Sequence, residues 1–347
     1  MNKKVFLTGA CGYIGTRLLE ALVGREEPVR ALSRRPELKP EPPPGLGWTG
    51  GGPLASPLVE WVRGDVADRD SLLRAMEGCS QVYHLAAYAK NWARDPQTSF
   101  AVNVQGMRNV FDAAAQLGVQ RVVWTSTCLT LGPSPPGGVV DEDTPRRTGR
   151  HFVEYERTKC IAEAEAFARA REGFPVVIVN PNRVYGPGYL NEANSATLLI
   201  DRYDRGKLPM LPNRGVNVGN WVLVDDVVQG HLLAMEKGRI GQRYVLGGEN
   251  ASLARLLALV DLVSGKRHFK IPMLRITPMV FAYLQQIRAR WLGVYPQITP
   301  GWARLYMTDW AQSSQKAERE LGYRPTPLAE GLRLTYAWLQ RVRQERS

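Results

Sequence analysis

The stretch Val5-Phe6-Leu7-Thr8-Gly9-Ala10-Cys11-Gly12-Tyr13-Ile14-Gly15 joins an apolar run directly to a glycine-rich turn. The helical pattern that follows has one apolar side, formed by Ile14, Leu18, Leu19 and Leu22. Strand, glycine turn and helix together are the context that a dinucleotide-binding turn requires. Gly9 permits the tight turn, Gly12 a close approach of a pyrophosphate, and Gly15 contact between helix and strand. The stretch therefore predicts a phosphate site at the N-terminus of this helix.

Alternating apolar runs and helical patterns continue along the chain. Further strands are predicted at 28–33, 59–63, 81–87, 121–125 and 243–246, and helices at 69–77 and 97–117. Repeated strand–helix units with apolar strands predict an α/β fold, a doubly wound parallel Rossmann sheet. In such sheets, ligands bind at the carboxyl ends of the strands. His84 lies inside an apolar strand, so we interpret it as a structural histidine rather than a base.

The end of the second strand predicts which cofactor binds. Proteins that prefer NAD usually place Asp or Glu here to hold the ribose 2′-hydroxyl. This chain has Ser33-Arg34-Arg35 instead. Guanidinium groups attract a 2′-phosphate and would hold it by charge-assisted hydrogen bonds. The prediction is NADP(H) rather than NAD(H), with Arg34 the stronger of the two candidates.

Composition and charge limit the other classes of function. The net charge is +12, but basic and acidic residues alternate along the predicted helices, with no dense basic patch that contains aromatics. We therefore expect no nucleic-acid partner. The N-terminus has no signal-peptide pattern and no apolar run is long enough to span a bilayer, which predicts a cytoplasmic protein without an integral membrane segment. The four scattered cysteines fit reduced thiols, and no metal site is predicted.

The remaining chain is expected to form a surface insertion and a lid. Residues 36–57 are rich in Pro and Gly and read as a mobile surface insertion. A strand is predicted at 221–226, followed by a helix at 227–236. Residues 251–347 have mostly helical patterns, and an apolar run within them is interpreted either as helix core or as pocket lining. That run contains Met273, Leu274, Ile276, Met279, Phe281, Tyr283, Leu284 and Trp291.

A tyrosine and a lysine stand four residues apart in Tyr155-Glu156-Arg157-Thr158-Lys159, within a helical pattern. This spacing puts both side chains on one face of a helix. A free tyrosine has a pKa near ~10, and a fixed cation nearby would stabilise the phenolate. Ser126-Thr127 follows the fifth strand directly. A ketone that accepts hydride needs a proton donor and a hydrogen-bond donor at one oxygen, which Tyr155 and Thr127 can supply.

These motifs together resemble the extended short-chain dehydrogenase/reductase family, which includes epimerase/dehydratase and dihydroflavonol-reductase-like groups. The resemblance extends nearly from end to end. It rests on residues 8–15, Gly64-Asp65-Val66, His84-Leu85-Ala86-Ala87, Asn103, Ser126-Thr127, the Tyr155–Lys159 pair, residues 181–188 and Val224-Asp225-Asp226-Val227.

The resemblance implies a role for each matching position. Tyr155 matches the acid–base tyrosine, and Lys159 the lysine that lowers its pKa and binds the nicotinamide ribose. Ser126 and Thr127 compete for the hydroxyl that binds the reacting oxygen, and counting back from Gly132 favours Thr127. The implied cofactor contacts are Gly9, Gly12, Tyr13, Ile14, Gly15, Ser33, Arg34, Arg35, Asp65, Val66, Leu85, Ala86, Ala87, Asn103, Lys159, Pro181 and Val184. The implied domains are 1–185 plus 221–250 for the cofactor, and 186–220 plus 251–347 for a mostly helical substrate lid.

Three functions remain open, and the first is preferred. It is an NADP(H)-linked oxidoreductase that interconverts a ketone or aldehyde and an alcohol on a small, largely apolar substrate. The second is a nucleotide-sugar epimerase or dehydratase with tightly bound NAD(P). Its usual Arg-Asp before the 221–226 strand is replaced by Gly219-Asn220, although Arg214 is a possible substitute. The third is a non-enzymatic cofactor-binding protein, which Thr127, Tyr155 and Lys159 argue against. Family analogy also implies a homodimer.

Overall fold

Seven parallel strands form the central sheet of the computed structural model, which describes residues 4–37, 40–90, 92, 95 and 97–345. In spatial order they run β3–β2–β1–β4–β5–β6–β10. The chain order reverses between β1 and β4, so the carboxyl ends of these two strands border the crevice where doubly wound sheets bind ligands. The strands are β1 (Val5–Thr8), β2 (Val29–Ser33), β3 (Val59–Arg63), β4 (Gln81–His84), β5 (Arg121–Thr125), β6 (Val176–Pro181) and β10 (Arg243–Leu246).

Both faces of the sheet are covered by helices, which is why its strands are apolar on both sides. In β1, Val5 and Leu7 belong to one core cluster and Phe6 to the other, since successive side chains point to opposite faces. The helices up to residue 237 are α1 (Tyr13–Gly24), α2 (Arg69–Met76), α3 (Gln97–Phe100), α4 (Gly106–Gln116), α5 (Glu154–Arg171), α6 (Ser195–Asp204) and α7 (Val224–Lys237). The first cluster includes residues of α1 and α7, and the second residues of α2, α4 and α5, whereas α6 belongs to a third cluster. The doubly wound parallel fold is confirmed.

Three predicted elements have different bounds in the structure. The fourth strand ends at His84, so 85–87 lie in the loop at its carboxyl end. The helix predicted at 97–117 is divided by a π-helical turn, Ala101–Gln105. The strand predicted at 221–226 is Val218–Leu223 (β9), and α7 begins at Val224. Asp225 and Asp226 therefore occupy the first turn of a helix, where carboxylates are stabilised by the dipole.

A second sheet connects the two predicted domains. It has the order β11–β9–β7 and contains β7 (Arg183–Tyr185), β9 and β11 (Glu249–Ser252). A two-stranded pair joins β8 (Met210–Leu211) to β12 (Ile271–Pro272). The second sheet draws strands from both proposed parts, so the two-domain division stays a prediction. The remaining helices are α8 (Leu253–Ser264), α9 (Ile276–Leu292), α10 (Pro300–Tyr306), α11 (Gln315–Leu321) and α12 (Leu328–Glu345).

The Pro/Gly-rich segment 36–57 is more firmly attached than the sequence suggested, although residues 38 and 39 lie outside the described part. Leu54 is buried in the core cluster that includes α1. The Trp338 indole of α12 donates to the Pro44 carbonyl at 2.9 Å. Burying a leucine side chain is worth about 2 kcal/mol. The segment is therefore attached to the core at Pro44 and Leu54 and is not purely a surface insertion, and its mobility stays a prediction.

The apolar run at 273–291 was interpreted either as helix core or as pocket lining, and the structure differs from both. Most of its large side chains are exposed, and none of them lines the main cavity described below. A narrow stripe of α9 packs inward, formed by the buried Pro278, Ala282 and Ala289 with the half-buried Met279. Neither helix core nor pocket lining describes the run. Within the described part of the chain, no helix combines the length and the apolar character needed to cross a membrane.

Candidate active site

The glycine turn presents bare backbone at the N-terminus of α1. Gly9 has a φ of 76°, and the Gly12 N–H donates to its carbonyl at 2.9 Å. A Cβ on Gly15 would lie 2.0 Å from the same carbonyl oxygen, so the turn and the helix meet closely here. No side chain caps α1, and no acidic residue lies in its first turn. Its first N–H groups and its positive dipole end remain available to an anion.

Substituting Gly15 by Ala should disrupt this turn. The added methyl meets a backbone atom that cannot move without opening the turn, so we expect a loss of about 2–4 kcal/mol in unfolding free energy. We also expect dinucleotide affinity to fall. Chemical denaturation and a cofactor titration would measure both effects. Gly24→Ala is the matched control, because Gly24 ends the same helix with no atom near its Cβ position. Equal stability changes in the two variants would contradict this account.

A cavity of about 290 Å³ extends from the glycine turn to the first turn of α5. It collects predicted residues from five separate segments of the chain. They are Gly9, Gly12, Tyr13, Ile14, Gly15, Leu85, Ala87, Ser126, Thr127, Tyr155, Lys159, Pro181 and Val184. Because these residues are up to 175 positions apart in sequence, only the parallel sheet brings them together, at the carboxyl ends of its strands.

The first turn of α5 presents Tyr155 to this cavity. The Glu156 carboxylate accepts from the Phe152 N–H at 2.6 Å and from Arg146 at 2.5 Å, which fixes the start of the helix. Tyr155 is the second residue of α5, where the helix dipole favours negative charge. Lys159 is one turn further along and is almost completely buried.

The environment of Tyr155 differs from the one expected. Burial raises the pKa of Tyr155 above its ordinary value, the Cys128 thiol adds to the rise, and the nearby hydroxyl of Thr127 opposes it. The Lys159 Nζ donates to the Thr125 carbonyl at 2.8 Å and lies 4.9 Å from the centre of the Trp124 ring. The Lys159 ammonium therefore has contacts of its own, with the Thr125 carbonyl and the Trp124 ring. Lowering of the tyrosine pKa by Lys159 stays a prediction.

A buried carboxylate that the sequence analysis missed supports the loop after β5. Glu163 accepts hydrogen bonds from Ser126, from Thr130 at 2.9 Å and from Asn180 at 2.8 Å. Its other oxygen accepts from Arg243 at 2.9 Å. The Ser126 hydroxyl is thus committed to Glu163. Thr127, which lines the cavity and lies near Tyr155, is the better placed of the two hydroxyls.

Burial lowers the pKa of Lys159 to about 7, and the Glu163 carboxylate opposes part of this shift. The unfolded chain keeps its lysine protonated up to a pH near ~10.4, so between these values the unfolded state binds more protons. The contribution of Lys159 to the unfolding free energy therefore rises with pH above about 7. It is lost as the pH falls through the pKa of Lys159 in the folded protein.

Replacing Lys159 by Met should remove that pH dependence. Between about pH 7 and pH 9 we expect the unfolding free energy of the wild-type protein to rise by about 2 kcal/mol relative to Lys159→Met. Denaturant unfolding at several pH values would measure the difference. The buried cysteines are present in both proteins, so their own titration cancels. If the unfolding free energies of the wild type and Lys159→Met changed in parallel with pH, Lys159 would be charged in the folded protein throughout this range.

The predicted ribose and adenine contacts lie outside the cavity lining but on the same sheet edge. Ser33 ends β2 and Arg34 follows it, exposed. The pKa of the Cys11 thiol is raised by burial and lowered again by the Ser33 hydroxyl and the Arg34 charge, which places both beside the glycine turn. Asp65 and Val66 follow β3, the next strand outward.

Two other predicted positions serve the scaffold. Asn103 accepts from the Tyr88 N–H at 2.7 Å and donates to Thr158 of α5 at 3.0 Å, so it connects the loop after β4 to α5. The Ala86 N–H donates to the Thr8 hydroxyl at 3.2 Å. That hydroxyl also bonds the His84 ring at 2.7 Å. Burial, followed by the Lys159 charge, lowers the pKa of His84 to about 3, which fits the structural interpretation of this histidine.

The far end of the cavity contains residues that the sequence analysis did not assign. Arg183 stacks on the rings of Tyr306 and Trp221, with its guanidinium carbon 4.9 and 5.3 Å from the ring centres. It donates to the Leu305 carbonyl at 3.2 Å, and burial lowers its pKa. The other unassigned lining residues at this end include Cys128, Leu129, Trp302, Leu305, Tyr306 and Trp310. No local motif marks them, because most come from α10 and the loop after it.

Arg214, the possible substitute for a diphosphate-binding arginine, lies outside the cavity. Arg214 is exposed and does not line the cavity. Asn220 is buried and donates to Gly248 and Asn250 at 3.1 and 2.9 Å, so it joins β9 to β11. The described residues therefore provide no arginine at either position for a sugar-nucleotide diphosphate.

The cavity fits a nicotinamide dinucleotide at its glycine end. The turn has no side chain at Gly9, Gly12 or Gly15, and a Cβ at Gly9 would lie 2.8 Å from the Ala86 nitrogen. An uncapped helix N-terminus faces the same space. The main-chain surface and the free N–H groups suit a pyrophosphate.

Comparison with known proteins gives the family. Residues 5–247 match the NAD dependent epimerase/dehydratase family. A putative dihydroflavonol 4-reductase of Synechocystis sp. is 30% identical, over 96% of this chain and 94% of its own. Sterol demethylase protein B of Methylococcus capsulatus is 31% identical, over 96% and 97%. The crystal structure of gox2253 superposes with a TM-score of 0.79 at 30% identity, covering 98% of both chains. The chain thus belongs to the NAD dependent epimerase/dehydratase family of extended short-chain dehydrogenases/reductases.

Proposed function

We propose that the protein is an NADP(H)-dependent oxidoreductase that interconverts a ketone or aldehyde with an alcohol on a small, largely apolar substrate. The observation that carries this proposal is one cavity with two different ends. Its first end is the glycine turn with Thr127, Tyr155 and Lys159, and its second end has an apolar and aromatic wall beside the polar side chains of Asn182, Arg183, Glu192 and Ser195. The family supports oxidoreductase or epimerase/dehydratase chemistry. The preference for NADP rests on Ser33 and Arg34.

In this proposal Tyr155 and Thr127 act on the reacting oxygen, and Lys159 supports them with its charge. A bound nicotinamide dinucleotide supplies or accepts the hydride. Tyr155 donates the proton to the oxygen of the carbonyl, and Thr127 donates a hydrogen bond to the same oxygen as it gains negative charge. Lys159 adds positive charge behind the tyrosine. Its hydrogen bond to the Thr125 carbonyl holds that charge in place.

The substrate preference follows from the second end of the cavity. Trp302, Leu305, Tyr306 and Trp310 offer apolar surface, whose burial favours binding of an apolar molecule. The names of two relatives refer to a dihydroflavonol and a sterol, which are compounds with apolar ring systems. Arg183 adds hydrogen-bond donors beside this wall.

One experiment tests the proposal against the epimerase/dehydratase alternative. The purified protein is assayed for co-purified nucleotide, titrated with NADPH and NADH by fluorescence, and then supplied with a panel of ring-containing ketones. We expect tighter binding of NADPH than of NADH, and stoichiometric NADPH consumption with at least one ketone. Tightly held NAD with weak NADPH binding would reject the proposal in favour of a reaction that restores its cofactor in each cycle.

A further inference from the structure

Helix α9 is held to the protein by one narrow side. Pro278, Ala282 and Ala289 are buried on it, and Ala282 packs with Ala303 and Met307 at α10. These buried residues are small, and with the half-buried Met279 they bring α9 close to α10 while occupying little of its circumference. Most of the helix surface therefore points outward.

The outward side of α9 is apolar. Residues at positions 276, 280, 284, 287 and 291 recur every three or four positions, so they form one stripe along the helix. At about 100° per residue, this stripe is centred opposite Ala282. Its members are between 53% (Val280) and 83% (Trp291) exposed. The stripe consists of Ile276, Val280, Leu284, Ile287 and Trp291, and we call it the α9 stripe.

The segment that contains the α9 stripe has basic side chains and no acidic ones, although Lys266 and Lys270 at its start pair with Asp204 and Asp261. Residues 262–308 contain no Asp or Glu. Arg288 and Arg290 lie on either side of the stripe, and Arg275 precedes the helix; all three are exposed. Arg288 donates to the Gln285 amide at 3.3 Å. The basic residues of this segment are Lys266, Arg267, Lys270, Arg275, Arg288, Arg290 and Arg304.

We propose that the α9 stripe docks on the surface of an anionic phospholipid bilayer. A helix with an apolar face, flanking arginines and a tryptophan lies in the plane of the interface, with its apolar side among the acyl chains. The flanking guanidinium groups then meet lipid phosphates, and each basic residue near such a surface strengthens binding. Exposed to water, the α9 stripe would be an unusually continuous apolar patch. A bilayer surface supplies both the apolar depth and the negative charge that these residues match.

Docking through α9 would also bring the cavity close to the lipid. Helix α10, on which α9 packs, contributes Trp302, Leu305 and Tyr306 to the cavity wall. An apolar substrate dissolved in the bilayer would then enter at the end lined by α10. This consequence rests on the proposed function, whereas docking itself does not.

Vesicle flotation tests the docking without any enzymatic assay. The protein is mixed with phosphatidylcholine vesicles that contain or lack phosphatidylglycerol, at low and high salt. We expect binding to the anionic vesicles that weakens with salt, since screening acts on the exposed arginines. Leu284→Glu combined with Trp291→Glu should reduce binding by about tenfold or more. Arg288→Glu with Arg290→Glu should remove the preference for anionic lipid.

A matched control separates docking from a loss of fold. Leu334→Glu changes another leucine, 50% exposed on α12, and should bind vesicles like the wild type. Glutamate is a good helix former, so thermal unfolding of all variants should stay close to that of the wild type. Absence of vesicle binding by the wild type would overturn the proposal. So would an equal loss in Leu334→Glu, or a dimer that Leu284→Glu converts to a monomer, which would assign the α9 stripe to a second copy.

Discussion

Tyr155→Phe should lower kcat by about a hundredfold or more and leave NADPH binding nearly unchanged. The change removes a single oxygen from a side chain that lines the cavity beside Thr127. Without it, no group at this position can donate a proton to the reacting oxygen. The ring remains, so the shape of the cavity is preserved. Steady-state kinetics with a ketone substrate and a fluorescence titration with NADPH would measure the two effects separately.

The control for this variant is Tyr336→Phe, since Tyr336 is on α12 and does not line the cavity. It should retain wild-type turnover. Because burial raises the pKa of Tyr155, the phenol is expected to be protonated in the unliganded protein, ready to donate in the direction of reduction. A Tyr155→Phe enzyme with full activity would remove Tyr155 from the reaction.

Arg34→Ala should weaken NADPH binding by about 10- to 100-fold and change NADH binding by only about twofold. The two cofactors differ in the 2′-phosphate, and Arg34 is the cation beside the glycine turn, close to Cys11. Removing it takes away charge-assisted hydrogen bonds that only NADPH can form. Titration of both cofactors with the same protein would measure the ratio.

Arg35→Ala is the matched control because Arg35 is the next residue and is equally exposed. The pKa of Glu37 is lowered first by a backbone hydrogen bond and further by the charges of Arg63 and Arg35, so Arg35 lies towards that carboxylate. We expect its loss to weaken NADPH binding less. An equal loss of NADH and NADPH affinity in Arg34→Ala would refute the phosphate contact and return the cofactor preference to NAD.

The sequence was most informative where function depends on backbone spacing. The glycine turn at 9–15 and the pair Tyr155–Lys159 are each formed by near neighbours in the chain, so their spacing already contains the geometry, and the structure places both at the cavity. The apolar strands similarly revealed a sheet covered on both faces, and the structure confirms it.

The missed residues act across long sequence separations. Glu163 bonds Ser126, Asn180 and Arg243, none of which is its neighbour in the chain. Such a carboxylate has no signal in a single sequence, since a glutamate on a helix is usually exposed. Arg183 was visible within a motif, but its stacking on Tyr306 depends on how α10 packs.

The glycine-rich stretch at 5–15 determined by itself the type of fold and predicted where a cofactor binds, because its requirements concern the local backbone. Tertiary structure alone decided what surrounds that place. It bonds the Ser126 hydroxyl to Glu163, which favours Thr127 as the hydroxyl at the proposed site, and it forms the apolar wall from α10. It also turned the apolar run at 273–291 outward, because α9 is anchored by small residues on one side only. The sequence shows which residues of a helix are apolar. Which side of the helix is buried depends on the element that packs against it.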